Sequence, residues 1–259
     1  MSSQSELQSN PEHKKNNKNS ASEVGHAKNV ANFQDLIAYC TAYGATYNPS
    51  KIALQLTALN TILTSAQTEL SSVTTAKNAF DTVTGDRQLT FEPLKSLATK
   101  IFNFLSVTDA TEQTIADAKT INNKLQGRRA GTIAENPTPE GGTSPNTVSV
   151  SRQSYDSLTE NFSAFIDLVS SIPSYTPNET ELTVDSLTTF RDNLQTANTN
   201  VINAEVAYSN ARISRDNILY AENTGLVDTA LDVKKYVKAI FGATSSQYKQ
   251  ISGIKFTKP

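Results

Sequence analysis

The side chains best suited to chemistry are scarce: 259 residues hold two histidines, His13 and His26, and one cysteine, Cys40. Catalysis of the Ser-His-Asp or Cys-His kind needs an imidazole beside the nucleophile. A di-iron bundle needs Glu-x-x-His pairs on facing helices, and zinc sites draw on several Cys and His ligands. Both histidines precede the first strongly periodic segment, which begins at Val30, so none of these constellations has an imidazole to build on. The phosphate-loop patterns G-x-x-x-x-G-K-[ST] and G-x-G-x-x-G do not occur, and Gly141-Gly142 lacks the flanking strand and helix such a loop requires. The pattern therefore predicts no catalytic residue, no cofactor and no metal ligand: a non-enzymatic protein. The remaining chemical alternative is a ligand-binding or carboxylate-based site in a helical core. Tyr39, Tyr43 and Tyr47 could form an aromatic platform there, but are more simply read as core residues with hydroxyls at the rim.

Cys40 falls on an apolar helix face and reads as a small buried hydrophobe rather than a reactive thiol. Twenty-three Lys+Arg against twenty-five Asp+Glu give a net charge of −2, too balanced for a dedicated nucleic-acid binder. The C-terminal stretch is less even: residues 234–259 carry six lysines and no acid. A basic arm presenting Tyr248, Lys249, Lys255 and Phe256 offers candidate contacts to a partner. The plainer reading is that Lys234, Lys235 and Lys238 complement a helix C-terminus and the rest solvate a tail.

These residues must be positioned by helices. Phe33, Leu36, Ile37, Cys40 and Tyr43 lie at helical spacing and predict a short first helix, stopping near Gly44. Tyr47-Asn48-Pro49-Ser50 opens a long helix whose apolar seam runs through Ile52, Leu56, Leu59, Leu63, Ala66, Leu70 and Val73. Lys77 interrupts the seam, Phe80 resumes it, and Gly85-Asp86 is the expected end. A third helix follows Pro93, with Leu94, Ala98, Ile101 and Leu105 on its buried face; a weaker periodic stretch covers Asp109–Leu125. Residues 127–150 collect four Gly and three Pro and read as a linker.

The pattern then returns. NFQDLIAYCTAYGATYNP (32–49) matches NFSAFIDLVSSIPSYTP (161–177) with one deletion, so that Tyr47-x-Pro49 meets Tyr175-x-Pro177. At an offset of 128 the long helices align, Leu59 with Leu187, Val73 with Val201, Phe80 with Tyr208 and Arg87 with Arg215. After a four-residue insertion, Leu94, Ala98, Ile101 and Phe104 match Leu226, Ala230, Val233 and Tyr236. The expected fold is thus all-α: an elongated bundle built from an internally duplicated unit of short helix, Tyr-x-Pro, long helix and third helix. Its divisions are a disordered polar tail at 1–29, a first repeat at 30–126, the linker at 127–150, a second repeat at 151–241 and a basic arm at 242–259, the last too irregular for a helix.

The ending Tyr236-Val-Lys-Ala-Ile-Phe-Gly-Ala-Thr-Ser-Ser-Gln-Tyr-Lys-Gln-Ile-Ser-Gly-Ile-Lys-Phe256 resembles the close of a group of uncharacterised helical-bundle proteins of Bacteroidota. The resemblance covers about twenty residues. It implies a bacterial origin and brings no activity, cofactor or site residue with it.

Thr, Ser and Asn number 32, 27 and 23, and such residues favour caps and turns over helix interiors. Helices this rich in them must be held by their apolar stripes. No apolar run approaches a membrane span and the N-terminus has no Sec-type apolar core, so a cytoplasmic location is expected, with export by a route that reads no Sec signal as the alternative. The function expected is that of a scaffold, adaptor or assembly subunit whose partner is a protein, self or other, with nucleic acid and membrane disfavoured. A helical toxin or injected effector acting at membranes is the alternative, and it needs an exposed apolar hairpin that the sequence does not offer.

Overall fold

Helices form where the apolar stripes lie, and their ends follow local capping chemistry. The computed structural model describes residues 23–128 and 153–259 and is all-α, with no strand among the described residues. In chain order the helices are α1 (Glu23–Ala42), α2 (Leu56–Phe91), α3 (Leu94–Leu105), α4 (Glu112–Gln126), α5 (Tyr155–Ser170), α6 (Val184–Tyr220), α7 (Leu226–Phe241) and α8 (Ser246–Ser252). Short 3-10 turns at Ile52–Leu54 and Thr180–Leu182 precede the two long helices. Thr111, Ser154 and Ser245 cap α4, α5 and α8 through their hydroxyls, each accepting the backbone N–H three residues on. Gly127 closes α4 at φ 75°, a left-handed position that glycine takes without strain.

Several boundaries differ from those expected. α1 begins at Glu23, ahead of residue 30, because His26 and Asn29 prolong the face of Val30, Phe33 and Ile37, and all five are buried. Residues 1–22 of the expected tail, His13 among them, and residues 129–150 of the expected linker lie outside the described residues. α2 runs through Gly85, where a Cβ would meet nothing within 4 Å, and ends just before Pro93. A single interior glycine weakens a helix by about 1 kcal/mol, which a long helix absorbs, whereas proline removes a hydrogen bond and clashes with the preceding turn. The arm at 242–259 contains α8, started by its Ser245 cap.

The described residues divide into two compact units. One comprises residues 23–74 with 211–259: α1 and α8 both pack on α7, and Phe33, Leu36, Cys40, Val233 and Ile251 share its core. The other comprises residues 75–128 with 153–210: α4 packs on α3 and on α5, around Ile101, Leu105, Leu125, Phe162 and Phe165. Each fully buried side chain of this size contributes roughly 1.5–3 kcal/mol. Each unit draws on both stretches, 30–126 and 151–241, that the sequence pattern marks as repeats.

Candidate functional site

A polar constellation lies in the first unit, where the C-terminal arm meets α1 and α7. Asn29, only 2% exposed, grips the arm: its amide nitrogen donates to the Thr257 carbonyl at 2.8 Å, and its oxygen accepts the Thr257 N–H at 3.1 Å. The same nitrogen lies 3.3 Å from the Tyr220 hydroxyl oxygen, and that hydroxyl is 2.6 Å from Nδ1 of the buried His26. Asn32 donates to the Lys255 carbonyl at 2.7 Å. From α7, Lys234 donates to the carbonyls of Ser252 and Ile254 at 2.9 and 2.8 Å, and burial lowers its pKa. Lys258 pairs with Asp228; hydrogen bonds from Lys258 and then from the Asn223 N–H hold that carboxyl below its usual range.

The candidate partner contacts fall on two sides of this arm. Tyr248 and Phe256 are half-buried against the core of the unit, and the Lys238 ammonium stands 5.7 Å from the Tyr248 ring centroid. Lys249 and Lys255 are exposed. Of the lysines expected to complement a helix C-terminus, Lys238 sits in the last turn of α7, whereas Lys234 fastens the arm and Lys235 pairs with Asp232.

Cys40 is fully buried, and burial pushes its thiol from 9.0 up to about 12, against a smaller lowering by a hydrogen bond with Tyr47. Tyr47 donates to the Leu54 carbonyl at 2.7 Å and meets Tyr236 edge-on at 5.4 Å. The second unit has a parallel arrangement: Tyr175 donates to the Leu182 carbonyl at 2.9 Å and meets Phe104 edge-on at 5.3 Å. Of the tyrosines considered as a platform, Tyr47 turns into the core, Tyr43 donates to the Gln247 carbonyl at 2.8 Å, and Tyr39 is exposed.

Two open clefts lie in the second unit. One, of about 300 Å³, is lined by Asp86, Thr90, Asn193, Thr196 and Asn200. Asp86 is its one carboxylate among the described residues, and paired acid and base chemistry needs two. The other, of about 330 Å³, has Leu97 and Phe190 on its walls and the Lys100–Glu181 ion pair, 2.8 Å apart, at its edge. Among the described residues no group of three or more His, Cys, Asp or Glu is placed to hold a metal ion, and no helix is long and apolar enough to cross a membrane.

His26, Asn29 and Asn32 were the residues the sequence pattern passed over. A signal was present, because His26, Val30, Phe33, Ile37 and Cys40 repeat in steps of four and three. Its polar members broke the hydrophobic run that marks a helix start.

No protein-family model matches the chain, no curated protein matches its sequence, and no solved structure matches its fold.

Proposed function

We propose that this protein is a non-enzymatic scaffold, adaptor or assembly subunit that acts through protein–protein contacts. The observation that carries the reading is the state of its reactive side chains. Cys40 is buried and held as a neutral thiol, while the hydroxyls of Tyr47 and Tyr175 are bound to backbone carbonyls. Asn29 is likewise engaged in holding the C-terminal arm, and His26 meets the Tyr220 hydroxyl at the end of α6. These are structural tasks, and they leave the helices as the means of action.

The reading includes a chain built by internal duplication of the short helix, Tyr-x-Pro, long helix and third helix. Support comes from matched residues in matched roles: Tyr47 with Leu54 and Tyr175 with Leu182, and again Tyr47 with Tyr236 and Tyr175 with Phe104. A cytoplasmic location and a protein partner, self or other, complete it. Light scattering of the pure protein, together with native pull-down from its source cells, tests the proposal. A stable self-assembly or a retrieved stoichiometric partner is expected. A strict monomer that retrieves nothing overturns it.

A further inference from the structure

The apolar faces of this fold are alike in the two halves at most positions. Phe33, Ile37 and Cys40 on α1 and Phe162, Ile166 and Val169 on α5 occupy matched sequence positions, and all are buried. The receiving helices match as well: Leu94, Ala98 and Ile101 on α3, and Leu226, Ala230 and Val233 on α7. Hydrophobic burial is non-directional and scales with area. By that criterion the shared positions do not distinguish α3 from α7 as a seat for α1, and the largest difference between the two faces is Leu36 against Phe165. Yet α1 shares its core with α7, and α5 shares its core with α3.

Where the apolar faces match, the charges are reversed. The turn before α2 carries Lys51, whose Nζ lies 2.9 Å from Oδ2 of Asp232 on α7. The matching turn before α6 carries Glu179 and Glu181, and Oε1 of Glu181 lies 2.8 Å from Nζ of Lys100 on α3. Lys51 matches Glu179 in sequence, and Lys100 matches Asp232. An exchange of partners would set Lys51 against Lys100 and the two glutamates against Asp232. A part-buried contact differs as well. His26 meets the Tyr220 hydroxyl, whereas in the other unit Tyr155 meets Phe91 edge-on at 4.7 Å.

We infer that the reversed charges form a pairing code: each third helix accepts the first helix and turn of the other half, and the code opposes like-with-like docking between two copies of this chain. The inference rests on the matched-halves reading above. Each ion pair is exposed and individually weak. Discrimination arises because a wrong pairing loses an attraction and gains a repulsion at both places.

Light scattering on intact chains at low salt tests the code with four proteins: wild type, K51E/E179K/E181K, its neutral counterpart K51Q/E179Q/E181Q, and K51E/K100E/E179K/E181K/D232K. The first variant makes like-with-like docking attractive, so its dimer association constant should rise about tenfold over wild type. High salt should erase the rise. The fivefold variant should return to the wild-type value, and the neutral one should fall between. If K51E/E179K/E181K is folded by circular dichroism and behaves as the neutral variant does, or if the fivefold variant fails to restore wild-type behaviour, the code is overturned and the matched halves stand. If K51E/E179K/E181K loses thermal stability with no gain in dimer, docking between like halves does not exist, and the matched-halves reading falls together with the code.

Discussion

Asn29 holds Thr257 by both ends of its amide, donating to the carbonyl at 2.8 Å and accepting the N–H at 3.1 Å. One side chain thereby satisfies both backbone groups of Thr257. Buried amides left without partners cost about 1–3 kcal/mol. Asn29→Ala should lower stability by about 2 kcal/mol and should raise amide exchange at residues 254–257 before it affects α7. Asn29→Asp should be worse at neutral pH, because it turns a carboxylate oxygen toward the Thr257 carbonyl. Urea unfolding and hydrogen exchange by mass spectrometry check both outcomes.

Tyr47→Phe and Tyr175→Phe remove one hydroxyl each from contacts with the Leu54 and Leu182 carbonyls. Both tyrosines are only 6% exposed, so neither carbonyl regains full hydration. Each substitution should cost about 1–2 kcal/mol, with Tyr47→Phe the larger because its hydroxyl also holds the Cys40 thiol. Urea titrations of the single variants and of the double variant measure this. Losses that differ severalfold would count against equivalent roles for the two tyrosines.

The helices were legible in the sequence because their apolar stripes are periodic and their ends carry capping residues, as Thr111 and Gly127 do for α4. The start of α1 was not, since His26 and Asn29 are buried polar residues that a hydrophobic pattern cannot count. α8 was missed for a related reason: a seven-residue helix is too short to display a stripe, and Ile251 alone is buried in it. Partner choice lay further out of reach. The spacing of Phe33, Ile37 and Cys40 states that this face is buried, but the same spacing on α5 gives the same message. The charges of Lys51, Asp232, Lys100 and Glu181 are what reverse between the two halves, and such exposed charges carry no periodic signal.

High pH should destabilise the protein, and Cys40 fixes where this begins. A group whose pKa is higher in the folded than in the unfolded state contributes fully below its unfolded value and loses that contribution as pH rises toward the folded one. For Cys40 the window runs from 9.0 to about 12, and for Tyr175 from 10.0 to about 12; burial leads in both. The urea midpoint should hold steady to about pH 8 and decline beyond about pH 9. Cys40→Val, which installs the residue found at the matched Val169, should flatten the first part of that decline at a cost below about 1.5 kcal/mol. In the native protein, modification of Cys40 by a disulfide reagent at pH 8 should proceed no faster than unfolding exposes it. Rapid labelling of the folded chain would contradict its burial.

Asn198 is the residue most readily improved. It is 7% exposed on α6; its amide nitrogen donates to Oδ1 of Asp156 at 3.1 Å, but its side-chain oxygen is buried with no hydrogen-bond partner. The matched position in the first half is Leu70, which packs against the apolar core there. An orphaned buried oxygen costs about 1–3 kcal/mol, while one hydrogen bond to a charged group returns about 1.5–3 kcal/mol at most. Because Asp156 is exposed and regains water when released, the orphaned oxygen should outweigh the bond. Asn198→Leu keeps the branch at Cγ with a bulkier side chain, removes the desolvated oxygen and adds apolar burial, so it should raise stability by about 1 kcal/mol. Asn198→Ala should gain less, since the space it vacates offsets the relief. Denaturation midpoints of the two variants decide the matter: a fall in both would show that the bond to Asp156 is worth more than the unpaired oxygen costs.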